Sequence, residues 1–165
     1  MKVFYHDSFT FPLPNKHRFP ISKYQKLREE ILAQKLIPNK KLLVGTAASD
    51  EQVLLVHDKE YLEKLKTDGL SDREVKRIGF PWSAQLLERA RRSVGSTINA
   101  CQSALKNKIA INLAGGTHHA FPDHGEGYCI FNDAAIAARV LQKENRLANL
   151  WRCAGDVLPG HGPAN

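Results

Sequence analysis

Two adjacent histidines, His118 and His119, are the residues of this chain best suited to chemistry at neutral pH. Imidazole starts from a pKa of about 6.5, near the pH at which a general base must work. Adjacent histidines on a loop can diverge, one towards a bound water and one towards a leaving group or buried partner. Gly115 and Gly116 stand just before them, where a backbone without Cβ can approach a ligand closely or adopt positive φ. His124 adds a third imidazole to the same loop. The loop alone could form a zinc site, but it lacks a tight ligand spacing such as HExxH. On local chemistry alone, a structural or solvent-exposed histidine pair reads slightly better than a catalytic one.

The elements around the pair read as strand, polar loop, helix. The apolar run Ile109 to Ala114 is expected to be the central strand, ending at Ala114. In open α/β sheets, sites lie just beyond the carboxyl ends of strands, where His118 and His119 fall. Asn132-Asp133 open a helix running from Ala134 to about Lys143, with residues that suggest burial on most sides. Upstream, Lys2 to His6 reads as a first strand. Ser22 is the expected cap of a helix with a Tyr24, Leu27, Ile31 stripe, ending before Pro38. Lys41 to Ala47 and Gln52 to Val56 are short apolar runs of strand type. Asp58 starts a helix through Leu65, and Ser71 to Lys76 a short one. Ser83 caps the longest helix, Ala84 to about Lys106. Its apolar positions Leu87, Ala90, Val94, Ile98, Cys101 and Leu105 step by three or four, as one buried face requires. Strands alternating with helices imply a parallel sheet covered by helices.

With 165 residues, 42% hydrophobic and 25% charged, the chain can build one domain with a real core. No run approaches roughly 18 apolar residues, so no membrane helix is expected. MKVFYHDSF has no apolar h-region, so no secretory signal is read and a cytoplasmic location is expected. Cys101, Cys129 and Cys153 are scattered and odd in number, as free thiols in a reducing compartment would be. The net charge of +7 raises a nucleic-acid reading, but the basic residues are spread along the chain. Arg89, Arg91 and Arg92 fit the solvated face of a helix. No nucleic-acid motif is present, and steep salt dependence of DNA binding would be needed to support that reading.

The stretch GGTHHAFPDHGEGYCIFNDAAIA resembles the signature of the zinc-dependent histone deacetylase family. Gly115-Gly116-Thr117-His118-His119 matches its Gly-Gly-x-His-His. Gly127-Tyr128-Cys129 matches its Gly-(Phe/Tyr)-Cys, and Asn132-Asp133 its helix-opening pair. HRFPISKYQKLRE (His17 to Glu29) and RIGFPWS (Arg77 to Ser83) are similar to the class IV-like and bacterial branch, and His57 to Leu62 resembles the family's His-x-x-x-Tyr-Leu element. The resemblance implies an α/β, three-layer arginase/deacetylase-like fold with a central parallel sheet flanked by helices, incomplete here. It implies hydrolysis of an acetyl-amide on lysine or a polyamine, with Zn2+ polarising the carbonyl and activating water. By carry-over, His119 is the general base/acid and His118 its electrostatic partner. Gly127 lends its carbonyl to the substrate amide N–H, and Tyr128 forms a wall of the acyl-lysine tunnel. Cys129 lies next to the tunnel floor, where a small packing thiol is at least as good a reading as a redox role. Asn132 and Asp133 read as capping and loop-bracing groups. His6, His17, His57 and His124 match no catalytic position.

The resemblance covers about 1–148, the N-terminal part of a histone deacetylase domain. The tail 149–165 departs from it as a divergent or frame-shifted segment. The family's zinc ligands, an Asp-x-His and a later Asp, belong beyond the matching part, as does its transition-state tyrosine. Asp156 and His161 in the tail carry little weight as metal ligands, because they stand five apart and do not reproduce the ligand pair. For some codon choices, one dropped base turns the stretch from Asp156 to Gly162 into Asp-Val-Cys-Gln-Gly-Thr-Gly, close to the family pattern. The expectation is a chain truncated before its zinc ligands, with no tight zinc binding and little or no activity. The alternative is a non-catalytic remnant that binds acyl-lysine or a protein partner.

Overall fold

Three short apolar runs pair as parallel strands in the computed structural model, which describes residues 1–146. Strands β1 (Lys2–Tyr5), β2 (Leu42–Val44) and β3 (Ala110–Asn112) form a sheet of order β2-β1-β3. Val3 lies opposite Leu42 on one side and Ile111 on the other. Parallel pairing needs long crossovers, and helices supply them. They are α1 (Lys23–Ala33), α2 (Asp50–Val53), α3 (Lys59–Lys66), α4 (Asp72–Ile78), α5 (Ala84–Asn107) and α6 (Asp133–Lys143). Among the described residues, no helix is long and apolar enough to cross a membrane. The tail 149–165, with Asp156 and His161, lies outside the described residues.

Long α5 is the spine. Ser83 accepts the Leu86 N–H at its start, and Leu86, Ala90, Val94 and Ile98 are buried along one face. They join Tyr61, Leu62 and Leu65 of α3 and Ile136 and Val140 of α6 in one apolar cluster. The stripe leaves the core at its far end, where Leu105 is 48% exposed.

Several local expectations are corrected. Gln52 to Val56 is not a strand. Ser49 Oγ accepts the Gln52 N–H at 3.3 Å and Gln52 Oε1 accepts the Ser49 N–H at 3.0 Å, a capping box that starts α2. β3 stops at Asn112 because the Asn112 side chain accepts the Ala114 N–H at 3.0 Å and turns the chain. Among the described residues, β1 and not β3 is the middle strand. Ser22 makes no side-chain cap bond, and the Lys23 N–H goes to the Pro20 carbonyl instead. Leu27 is exposed while Ile31 is buried, so the α1 stripe is narrower than expected. The buried residues of α6 are Asp133, Ile136, Ala137, Val140 and Leu141, a single face rather than most of the helix.

Arg89 is not on a solvated face. It is 2% exposed, one step from Ala90 on the buried stripe. Its Nη2 donates to Tyr24 Oη at 2.9 Å, and its guanidinium lies 5.2 Å from the Tyr24 ring and 5.8 Å from the Phe80 ring. Ring quadrupoles take the place of a counter-ion. Arg91 pairs with Asp50 at 2.5 Å and Arg92 with Glu88 at 2.6 Å.

Candidate active site

The loop between β3 and α6 carries both histidines just past the carboxyl end of β3. Their ring centroids are 4.2 Å apart, with planes inclined at 36°. His118 Nδ1 lies 2.8 Å from the Gly116 carbonyl oxygen. A carbonyl only accepts, so Nδ1 carries the proton and Nε2 is left as the basic nitrogen. His119 is exposed, and its other neighbour is Gly127. A Cβ built on Gly127 would stand 3.2 Å from His119 Cγ. The glycine thus lets the imidazole lie close to the backbone whose carbonyl the resemblance assigns to substrate.

Gly127 and Tyr128 form a two-residue turn, with φ of +56° and +67°. Glu126 and Cys129 close it by exchanging backbone hydrogen bonds at 3.0 and 2.9 Å. Such turns need positive φ at both central positions, easy for glycine but costing of order 1–3 kcal/mol at a residue such as Tyr128. Packing holds Tyr128 there. Its N–H donates to the Ile78 carbonyl at 2.7 Å, at the end of α4. Its ring lies 5.0 Å from Phe19 and 5.1 Å from Phe80. His17 stacks on Phe80 at 5.6 Å and donates Nε2–H to the Gly79 carbonyl at 3.0 Å. It packs edge-on to the Tyr128 ring at 6.2 Å and makes no contact with the histidine pair.

The far side of the loop is tied to α3. His57 is 3% exposed. Its Nδ1–H donates to the Pro122 carbonyl at 3.3 Å, and its Nε2 accepts the Asn132 N–H at 3.0 Å. Burial pushes its pKa down, keeping the ring neutral. One turn on, Tyr61 Oη donates to the Ile130 carbonyl at 2.9 Å, and burial pushes its phenol pKa up. His57, just before α3, and Tyr61 within it therefore brace the segment Ile130 to Asn132. Cys129 is buried, with its pKa pushed up by burial, as suits a packing thiol. His124 pairs with Asp123 at 2.6 Å and stacks on Phe121 at 4.6 Å, within its own loop.

Of the residues singled out from sequence, His118, His119 and Gly127 are brought together at this loop, while the Tyr128 ring packs on Phe19 and Phe80. Among the described residues, no group of three or more His, Cys, Asp or Glu side chains is placed to hold a metal ion. The zinc that the family implies does not fit residues 1–146 alone, and no step is routed through it. A partly open pocket of about 320 Å³ lies elsewhere, lined by Tyr5, Phe9, Tyr24 and Arg28 among others.

A parallel sheet with a histidine-bearing loop at a strand end is an α/β frame, in which sites lie beyond the carboxyl ends of strands. The chain matches the histone deacetylase domain over residues 17–151 and belongs to the histone deacetylase family. It is 37% identical over 162 residues to an uncharacterized protein of Picosynechococcus sp., covering 98% of this chain and 54% of that protein. It is 29% identical over 140 residues to the acetoin utilization protein AcuC of Staphylococcus aureus, covering 79% of this chain and 36% of that one. A solved HDAC homologue from Aquifex aeolicus superposes with a TM-score of 0.70 at 26% identity, over 87% of this chain and 41% of that one. The fold is thus the deacetylase α/β fold in part. The chain spans about half the length of the first of these relatives, and less of the other two.

Proposed function

We propose that this chain supplies the proton-handling part of a deacetylase domain that hydrolyses an acyl-amide on lysine or a polyamine. His119 takes a proton from the attacking water and returns it to the leaving amine. His118 is its electrostatic partner, with the basic Nε2 that its bond to Gly116 leaves available. The Gly127 carbonyl accepts the substrate amide N–H, and Tyr128 flanks the acyl-lysine stem. The observation that carries this reading is the packing of His119 between His118 and Gly127 at a strand's carboxyl end. Among the described residues no group of side chains is placed to hold zinc, so the metal chemistry of a complete domain is expected to draw on residues outside them.

A chimera tests it. Residues 1–146 replace the matching part of the Picosynechococcus relative, and conversion of an acetyl-lysine peptide to the deacetylated peptide, with release of acetate, is followed by mass spectrometry. The chimera is expected to hydrolyse the peptide, and His119→Ala to lower the rate by about 10²-fold or more. The 165-residue chain alone is expected to show no turnover. An active chimera indifferent to His119→Ala overturns the assignment.

A further inference from the structure

Beneath the Gly115–His118 backbone lies a buried polar chain that the proton-handling roles do not use. It starts at Asn112, whose Oδ1 accepts the Ala114 N–H, which fixes the amide orientation. Asn112 Nδ2 donates to the Ser93 carbonyl at 2.9 Å and to Thr97 Oγ1 at 2.8 Å. Thr97 has one hydroxyl proton, and it goes to Asp133 Oδ2 at 2.6 Å. The same carboxylate oxygen accepts the Gly116 N–H at 3.0 Å. The Asp133 N–H donates to the Thr117 carbonyl at 3.1 Å. Gly116, with φ +89°, then presents its own carbonyl to His118 Nδ1–H.

Asp133 is 0% exposed, and its other oxygen, Oδ1, is buried with no partner. A buried carboxylate is expensive unless it is fully hydrogen-bonded. Capping α6 does not account for it, because Asn132 Oδ1 already accepts the Ala135 N–H at 3.0 Å. Its bonds go instead to the two residues just before His118.

We propose that Asp133, oriented by Thr97, is a positioning residue that fixes the Gly116 backbone and thereby the Nδ1–H tautomer of His118. Without this strap the Gly116 carbonyl is released. His118 then drifts to the Nε2–H form, in which Nε2 no longer offers a lone pair beside His119. The functional weight of the tautomer rests on the deacetylase reading, but its existence does not.

The test uses the 165-residue chain labelled with 15N at histidine, near pH 8. Long-range 1H–15N correlation spectra report which ring nitrogen carries the proton, with His118 assigned by its loss in His118→Gln. The native chain is expected to show His118 mainly as Nδ1–H. Asp133→Asn and Thr97→Val are each expected to lose that majority signature, with helical circular dichroism retained. If Asp133→Asn does not fold, Thr97→Val decides. A native His118 already in the Nε2–H form overturns the proposal. So do folded variants in which Nδ1–H persists, and that result leaves the deacetylase assignment standing. An inactive chimera leaves the tautomer result standing in turn.

Discussion

His57 makes its environment's demand plain: it must be neutral to accept the Asn132 N–H. Its folded pKa lies below the unfolded value of about 6.5 because burial disfavours the imidazolium. Above that value both states are neutral and the brace is intact. As pH falls from about 6.5 towards the folded pKa, the unfolded chain binds more protons and stability is lost, by at most about 1.4 kcal/mol per pH unit from this group. His6, also held down by burial and then by Arg92, adds a slope of the same sign. Urea unfolding between pH 7.5 and 5.5 is therefore compared with His57→Gln, whose amide can make both bonds without titrating. A flatter profile in the variant is expected, and equal slopes would remove His57 from the account. Gly125 poses a steric question at the same brace. A Cβ there would stand 2.6 Å from Tyr61 Oη and 2.7 Å from the Cys129 carbonyl oxygen. Gly125→Ala is expected to destabilise the chain by about 1–3 kcal/mol, read as a lower urea midpoint at unchanged slope.

At the scale of elements, α6 shows how one side chain can serve two structures. Asn132 caps the helix through Ala135, and its Nδ2 donates to the His118 carbonyl at 3.4 Å. Asn132→Ala is expected to cost about 1–2 kcal/mol. Asn132→Ser keeps a cap acceptor, so most of that loss should return in chemical denaturation. Equal losses would place the stability in the loop contact instead. Periodicity made α5 and α6 legible, and a resemblance made the histidine loop legible. The errors have physical causes. Gln52 to Val56 has the apolar content of a strand, but the Ser49–Gln52 capping spacing outweighs it and starts a helix there. Arg89 reads from sequence as a surface charge, because no sequence rule announces an aromatic cage gathered from Phe11, Tyr24 and Phe80. His57 could be seen as part of a motif, but its bonds reach Pro122 and Asn132, contacts that exist only once the chain has folded.

For the molecule as a whole, the sheet has an open side. Among the described residues β3 pairs with β1 alone, and Ile111 is 39% exposed on that strand, with Ile109 beside it at 54%. Unpaired strand edges flanked by apolar side chains recruit other strands, and a charge on the edge blocks this. Chain-to-chain association at this edge is therefore expected when the 165-residue protein is concentrated. Ile111→Lys should suppress it while leaving the secondary structure intact, because the side chain is already partly in water and makes little of the core. Sedimentation velocity over a concentration series separates the outcomes. Concentration-dependent species lost in the variant assign the association to β3. Species that persist unchanged move it elsewhere, and a monomer at every concentration means that the exposed isoleucines are not enough to drive pairing.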